Sequence, residues 1–169
     1  MDERALAEAY ERTVDEVYRY ACRLTGGNQS RAEDLTQDAY LALVREVRAG
    51  HLDVVSAAWL VTCVRNRFID EVRRDVRGER NLQLVWSGPS KASDDGLPAM
   101  SGIDDVARAA IVLHHVDGYH VSDVAALIGK SVRATESLLA RSRQTLRREM
   151  SRETSRETSK DMKGGRRHG

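Results

Sequence analysis

Both prolines of this 169-residue chain, Pro89 and Pro98, lie in one segment near its middle. Proline removes a backbone N–H and disrupts helices, so this placement leaves the sequence on either side free to be helical. Four of the twelve glycines and several Ser and Asp residues fall in the same segment, 78–102, which is typical of a linker. Aromatic residues make up only 5% of the chain, so small helical units with a core of Leu, Val, Ala and Ile are favoured over a sheet.

The sequence before the linker predicts a helical bundle, because its apolar residues recur at three- and four-residue steps. A first helix ends at Gly26. A second follows Ser30, with acids in its first turn, and ends at Gly50, and a third begins after Ser56. The buried line of the third helix is predicted to be Trp59, Leu60, Cys63, Val64, Ile69 and Val72. Residues 1–77 are therefore expected to form one domain.

The sequence after the linker, 103–150, predicts a four-helix domain that contains a helix-turn-helix. The small Ala125 allows close packing of the two helices, and Gly129 suits the turn between them. Ser131 is expected to cap the last helix, whose inward positions are predicted to be Val132, Thr135 and Leu139. A plain helical hairpin would fit the same periodicity. Residues 151–169 carry almost no apolar side chains, so they are predicted to be a disordered tail.

Charge is unevenly distributed along the chain. Residues 1–40 hold nine acids and five arginines, whereas 132–150 hold five arginines and two glutamates. An acidic N-terminal part and a basic C-terminal part of the sequence indicate two kinds of partner. Cys22 and Cys63 are predicted to be buried thiols in a reducing cytoplasm. No apolar run approaches the ~18 residues of a membrane span and no signal-peptide core is evident, so a soluble, cytoplasmic protein without a membrane partner is expected.

Three polar surfaces are candidate binding sites. Asp34, Gln37 and Asp38 share one helix face, which suits a basic helical partner, although acids near a helix start also complement the helix dipole. A stripe of arginines around Asn66 on the third helix suits DNA, because Asn can pair with a base edge while Arg holds phosphate. An ordinary amphipathic helix has the same pattern. The basic run from Arg141 onward would lie near a phosphate backbone or form a solvated face.

Taken in order, these segments resemble a bacterial RNA polymerase sigma factor of the extracytoplasmic-function (ECF) type, in the sigma-70 family. Four stretches carry the resemblance: "RAEDLTQDAY", "AWLVTCVRNRFIDEVRR", the Pro/Gly linker and "VDGYHVSDVAALIGKSVRATESLLARSRQTLRR". They are similar to the helix that binds the polymerase clamp, the −10-reading helix, the interdomain linker and the −35-reading helix-turn-helix. The resemblance implies a region 2 domain at 1–77, a linker at 78–102 and a region 4 domain at 103–150. It implies no catalytic residue, no cofactor and no metal.

The resemblance also implies partners and roles for individual residues. The partners are the RNA polymerase core, through its β′ clamp helices and β flap, promoter DNA and, as a further candidate, an anti-sigma factor. The polymerase-binding residues would be Asp34, Gln37 and Asp38. The −10 DNA-binding residues would be His51, Leu52, Asp53, Arg65, Asn66, Arg67, Asp70, Arg73 and Arg74. Asn66 would meet a flipped base, and the loop 51–55 would form its pocket. The −35 DNA-binding residues would be Lys130, Ser131, Arg133, Ala134, Glu136, Ser137, Arg141, Arg143 and Arg147.

The sequence departs from the family pattern at three places. The specificity loop lacks aromatic and "RGD"-like residues, and His120 stands where Ser or Thr commonly caps the first helix of the helix-turn-helix. Glu136 and Leu138 stand where a "KSR" run is common, although some members carry an "ATESLL"-like helix. Because glutamate accepts a hydrogen bond from the exocyclic amine of cytosine, Glu136 is a candidate specificity residue. The alternative is an ion pair within the helix, to Arg133 or near Arg141.

Two other functional classes fit the sequence less well. A stand-alone helix-turn-helix regulator with an N-terminal sensing or dimerisation domain would not need the acidic face at 34–38. An enzyme would have to rest on His114 and His115, which are adjacent and therefore point to different sides of a helix, without metal-ligand spacing. P-loop, nucleophile-elbow and CxxC motifs are absent from the sequence. The sequence therefore favours a promoter-specificity subunit over both.

Overall fold

The computed structural model describes residues 3–78 and 103–164, and within these ranges the chain forms helices and short connections without a strand. The prediction of an all-α protein with two helical regions is thereby confirmed. The predicted linker at 78–102 lies, apart from residue 78, outside the described residues, as do the last five residues of the predicted tail.

Three long helices form the first region. They are α1 (Glu3–Thr25), α2 (Gln29–Arg48) and α3 (Ala57–Val76). Ser56 caps α3 as predicted, because its hydroxyl oxygen accepts the N–H of Trp59 at 3.3 Å. The predicted start of α2 is wrong by two residues: Asn28, not Ser30, is the cap, and its side chain accepts the N–H of Arg31 at 3.1 Å. Both residue types cap helices well, and the sequence offers no local signal to choose between them.

Three α-helices, and a π-helical segment that continues directly from the first of them, form the second region. They are α4 (Asp105–Ile111), a π-helical segment (Val112–Val116), α5 (Val121–Ile128) and α6 (Val132–Gly164). In the π-helical segment the hydrogen bonds widen by one residue, so the N–H of Asp117 donates to the carbonyl of Val112 at 3.0 Å. This segment brings Asp117 to the face of the second region that meets the first.

Helix α6 is longer than the sequence predicted. Disorder was predicted from Ser151, whereas the backbone remains helical to Gly164. The prediction relied on the scarcity of apolar residues. No glycine or proline interrupts 131–163, and the Arg, Glu, Lys and Met residues of 151–163 have favourable helix propensities.

One continuous apolar core runs through both regions. Of the predicted line of α3, four residues are buried: Leu60, Val64, Ile69 and Val72. Trp59 and Cys63 are only partly buried. Phe68, which the prediction omitted, is fully buried, because it lies one turn beyond Val64 on the same helix face. The shared core holds the two regions against each other and thereby positions the polar groups between them.

Candidate nucleic-acid interface

The turn between α5 and α6 has the tight geometry that a helix-turn-helix needs. Gly129 ends α5 at φ 72°, a left-handed conformation that glycine adopts without a steric penalty. The N–H of Lys130 then donates to the carbonyl of Ala125 at 2.9 Å. Ser131 caps α6 as predicted, since its hydroxyl oxygen accepts the N–H of Ala134 at 3.2 Å. His120, which precedes α5, makes no capping hydrogen bond through its side chain.

The first four turns of α6 separate an inward stripe from an outward face. Thr135, Leu139 and Ser142 are buried, whereas the predicted inward residue Val132 is exposed. The predicted −35 residues lie on the outward face. Those that are exposed are Ser131, Arg133, Ala134, Glu136, Ser137, Arg141, Arg143 and Arg147, and Lys130 is half-buried. The structure therefore places seven of the nine predicted −35 residues on the outward side of α6, with Ser131 exposed just before the helix and Lys130 half-buried in the turn.

Glu136 lies in the middle of this outward face. Its side chain is exposed, and among the residues that the structure describes no basic group forms an ion pair with it. The nearby polar groups are occupied elsewhere: Ser137 donates to the carbonyl of Arg133 at 3.0 Å, and Arg141 donates to the carbonyl of Ser137 at 3.3 Å. The alternative of an intrahelical ion pair is thus not found, and the carboxylate points outward.

The predicted polymerase-binding residues lie on one face of α2. Asp34 and Gln37 are exposed. Asp38 is half-exposed and receives the guanidinium Nε of Arg67 at 2.9 Å. This pair joins a residue predicted to bind polymerase to one predicted to bind −10 DNA. Leu41, one turn beyond Gln37, is 58% exposed. The sequence alone does not predict the exposure of Leu41, because an apolar residue in an amphipathic helix is ordinarily assigned to the core.

The predicted −10 residues of α3 divide into two groups. Asn66, Arg67 and Asp70 are exposed and face away from the core, while Arg65, Arg73 and Arg74 are partly buried. Successive residues of a helix are separated by about 100°, so one stripe cannot hold all six. The structure therefore brings Asn66 and Asp70 together on one outward surface and directs Arg65 and Arg73 toward the second region.

A polar junction joins the two regions at this side of α3. The hydroxyl of Tyr20 donates to Oδ2 of Asp117 at 2.7 Å, and Nη1 of Arg65 lies 3.5 Å from the same oxygen. The Arg65 guanidinium also lies over the ring of Tyr119, 5.3 Å from its centroid. Arg73 donates to the carbonyl of Leu127 at 2.6 Å and to that of Ala126 at 3.1 Å. We refer to the contacts of Tyr20, Arg65 and Arg73 with the second region as the junction.

Burial at the junction and beside it alters the electrostatics of two groups. Burial, and then the hydrogen bond to Asp117, raise the pKa of Tyr20, so its hydroxyl keeps its proton and remains a donor. Burial lowers the pKa of Arg108, and its partner Asp105, 2.6 Å away, opposes this shift. Asp105 also receives Arg31 of α2 at 2.6 Å, which adds a second ionic link between the regions.

The predicted specificity loop, 51–55, alternates between exposed residues and residues that pack on the core. His51 lies 3.1 Å from the Glu46 carboxylate at its start. Leu52 is half-buried, Asp53 is exposed and Val55 is buried. Leu52 and Val55 pack against the core, so the loop presents Asp53 and the neighbouring Val54 to solvent, and Val54 is 82% exposed.

The described ranges contain no metal-ion cluster, no disulfide and no membrane-spanning helix. Within 3–78 and 103–164 there is no cluster of three or more His, Cys, Asp or Glu side chains arranged to hold a metal ion. Neither Cys22 nor Cys63 forms a disulfide among these residues. A search of the same residues for a helix both long and apolar enough to cross a membrane finds none.

Comparison with known proteins settles the family. The model of sigma-70 region 2 matches residues 9–78, and the model of sigma-70 region 4 matches residues 99–146. The chain belongs to the sigma-70 family. It is 30% identical over 155 residues to the ECF RNA polymerase sigma factor SigE of Mycolicibacterium smegmatis, a match that covers 83% of this chain and 59% of SigE. The ECF sigma factor SigM of Mycobacterium tuberculosis is 27% identical over 153 residues, which cover 87% of this chain and 78% of SigM.

Among solved structures, this chain is similar to the sigma factor RpoE of Bartonella quintana, crystallised with the anti-sigma factor NepR. The sequence identity is 21%, the TM-score is 0.48, and the match covers 86% of this chain and 96% of that one. The sequence resemblance to an ECF sigma factor is thus confirmed by the family and its relatives. The chain spans only about three fifths of the length of SigE, and the roles of individual site residues stay predictions.

Proposed function

We propose that this chain is a promoter-specificity subunit, which binds the RNA polymerase core and directs initiation by recognising −10 and −35 elements. The observation that carries the proposal is the order of the two family matches, region 2 at 9–78 and region 4 at 99–146. The exposed surfaces of α2, α3 and α6 support it, because each predicted binding surface has residues accessible to a partner. A stand-alone helix-turn-helix regulator is not favoured, since it requires neither the region 2 match nor the acidic face of α2.

Polymerase binding is assigned to the acidic face of α2. Asp34, Gln37 and Asp38 would contact the β′ clamp helices, and the exposed Leu41 would add an apolar contact beside them. Complementary charge steers association and sets register, while a desolvated apolar side chain adds affinity at the centre of an interface. The second region would contact the β flap.

Recognition of the −10 element is assigned to α3 and the loop before it. Asn66 offers a donor and an acceptor to the edge of an unpaired base, and Asp70 lies one turn further along the same exposed surface. Unstacking a base costs a few kcal/mol, so a shaped pocket is needed to hold it. His51, Leu52 and Asp53 would form that pocket, while Arg67 and Arg74 would contact phosphate.

Recognition of the −35 element is assigned to the outward face of α6. Arg133, Ala134, Glu136 and Ser137 would face base edges in the major groove, with Ser131 at the start of the helix. The phosphate contacts would come from Lys130, Arg141, Arg143 and Arg147. Phosphate contacts fix the position of the helix, whereas base contacts carry sequence information. Because the exposed carboxylate of Glu136 forms no ion pair within the described part of the chain, we regard Glu136 as the strongest candidate for reading a cytosine amine.

The proposal includes no chemistry of its own for this chain. Sigma factors are regulators and not enzymes, and we infer that this chain likewise catalyses no reaction and needs no cofactor. It would act in the cytoplasm, on the nucleoid, where polymerase and promoter DNA meet. An anti-sigma factor is a further candidate partner.

Reconstituted transcription tests the proposal. The purified chain is mixed with bacterial core polymerase and a genomic DNA library, and the 5′ ends of the transcripts are mapped. Specific start sites that share two upstream elements are expected with the chain and absent without it. If the chain alone binds DNA tightly but neither joins polymerase nor directs initiation, the proposal is wrong and the chain is a stand-alone helix-turn-helix regulator.

A further inference from the structure

An exposed valine stands at the start of the helix to which −35 recognition is assigned. Val132 is the first residue of α6 and is 46% exposed, although its place in the sequence predicted an inward side chain. Exposure alone does not identify a binding residue, because single apolar side chains are common on protein surfaces. Val116, in the π-helical segment, is also 46% exposed. Val132 differs in its position, since the N-terminal residues of the second helix of a helix-turn-helix contact base edges in the major groove.

The first turn of α6 holds Val132 in a fixed position. The hydroxyl oxygen of Ser131 accepts the N–H of Ala134 at 3.2 Å, and the Ser131 carbonyl accepts the N–H of Thr135 at 3.0 Å. The hydroxyl of Thr135 donates to the same carbonyl at 3.0 Å, and Thr135 is fully buried. Valine itself is stiff, because a β-branched side chain has one strongly preferred rotamer in a helix. An apolar group is thus held at the surface by a turn that is capped on one side and buried on the other.

Glu136 lies one helical turn beyond Val132 on the same side of α6 and is also exposed. Residues four positions apart on a helix have Cβ atoms about 5–6 Å apart, and base pairs stack at ~3.4 Å, so the two side chains reach base pairs about one or two steps apart. Their chemistry differs, because a carboxylate accepts hydrogen bonds whereas the valine side chain has no polar atom. The apolar group that a base pair displays in the major groove is the C5-methyl of thymine.

We propose that Val132 contacts the C5-methyl group of a thymine in the −35 element, about one or two base pairs from the pair that Glu136 contacts. The inference rests on the proposed function and adds a specificity-determining residue to the −35 surface. Thymine is selected for two reasons. Its methyl group leaves water when it packs against the methyl groups of Val132. The other bases place polar groups there, and valine leaves those groups without a hydrogen bond.

Removal of single methyl groups from the DNA tests this contact. The −35 element is first located from the start sites that the full chain directs with core polymerase. Each thymine of that element is then replaced by deoxyuridine, which lacks only the C5-methyl group, and the Kd of the holoenzyme for each promoter is measured. With the unaltered chain, one replacement should weaken binding about fourfold, as expected for one buried group of this size. With Val132→Ala the same replacement should have no effect, because the contact is already lost.

Val116→Ala is the matched control, since it removes the same two methyl groups from an equally exposed valine outside α6. This control should keep the methyl dependence of the unaltered chain. The inference is overturned if no replacement weakens binding by the unaltered chain, or if Val132→Ala keeps the dependence in full. A dependence that Val116→Ala also abolishes overturns it as well, because the effect is then not specific to α6.

The proposed function fails separately, if the unaltered chain directs core polymerase to no promoter. In that case the replacement series is made on the DNA duplex that the full chain selects from a random pool, and the same outcomes decide the role of Val132. A chain that selects no duplex overturns both proposals.

Discussion

Reversal of two charges on α2 tests polymerase docking directly. In Asp34→Arg with Asp38→Arg, two carboxylates one helical turn apart become guanidinium groups, and the face changes by four units of charge. Asp34 is exposed and the Asp38 side chain is 46% exposed, and neither belongs to the apolar core. We therefore expect the fold to survive while the partner surface is inverted.

The two positions do not contribute equally. Asp34 is in no ion pair among the described residues, so its full charge is available to a partner. Asp38 is paired with Arg67 at 2.9 Å, and both side chains are close to half-exposed. An exposed pair of this kind contributes about 0.2–1 kcal/mol, and Asp38 must share or release Arg67 in order to bind polymerase. A charge pair across an interface contributes about 1.5 kcal/mol or more. Since the Asp38 contribution is reduced by the loss of its pair with Arg67, the double reversal should weaken binding by at least ~2 kcal/mol, or roughly 30-fold in Kd.

The assay is a titration of fluorescently labelled chain with core polymerase, followed by anisotropy. The control is Asp15→Arg with Glu16→Arg, which places the same charge change on two exposed acids of α1. Circular dichroism confirms the helical content of both variants. If the α2 variant binds polymerase within threefold of the α1 control, long-range charge alone accounts for the effect and the docking role of Asp34 and Asp38 is refuted.

Three further predictions concern DNA recognition and the turn that supports it. Asn66→Ala should lower discrimination at one −10 position by ~1–3 kcal/mol, read from transcription on a promoter-variant library; an unchanged profile contradicts it. Glu136→Gln should relax the preference at one −35 base pair by a similar ~1–3 kcal/mol, and equal loss at every base would instead indicate a phosphate effect. Gly129→Ala should destabilise the chain by roughly 1–2 kcal/mol, because alanine resists a φ of 72°; thermal unfolding measures this, with Ala126→Gly on the exposed face of α5 for comparison.

The local elements of the fold were predictable from the sequence. Ser56 and Ser131 cap the helices that follow them because a cap depends only on the next three residues. The buried line of α3 followed from a 3.6-residue period. The predicted start of α2 was wrong because Asn28 and Ser30 are equivalent capping signals. The predicted end of α6 was wrong because the scarcity of apolar residues was taken to mean disorder, without weight for the helix propensity of Arg, Glu, Lys and Met.

The contacts of the candidate site could not be predicted in the same way. Arg67 reaches Asp38 across two packed helices, and Arg65 meets Asp117 across the two regions. Such pairs depend on how the helices pack against one another. Neither the hydrophobic period of a helix nor its capping residue contains that information. The arginines of α3 consequently appeared as one DNA-facing stripe, whereas the structure directs Arg65 and Arg73 toward α5 and leaves Asn66 on the outward surface.

The exposed Glu136 on α6 is consistent with a subunit that does not bind DNA without polymerase. An isolated regulator must supply its affinity through many phosphate contacts, so a carboxylate in the centre of its reading surface would weaken binding at every site. Under the proposed function, polymerase supplies much of that affinity, and the recognition helix needs only to discriminate. The outward Glu136, near Arg133 on the same face, would then reject sequences that offer no amine donor. A carboxylate that is left desolvated without a hydrogen bond costs more than an equivalent neutral group, so under the proposed function Glu136 would weaken general binding and sharpen the choice of base.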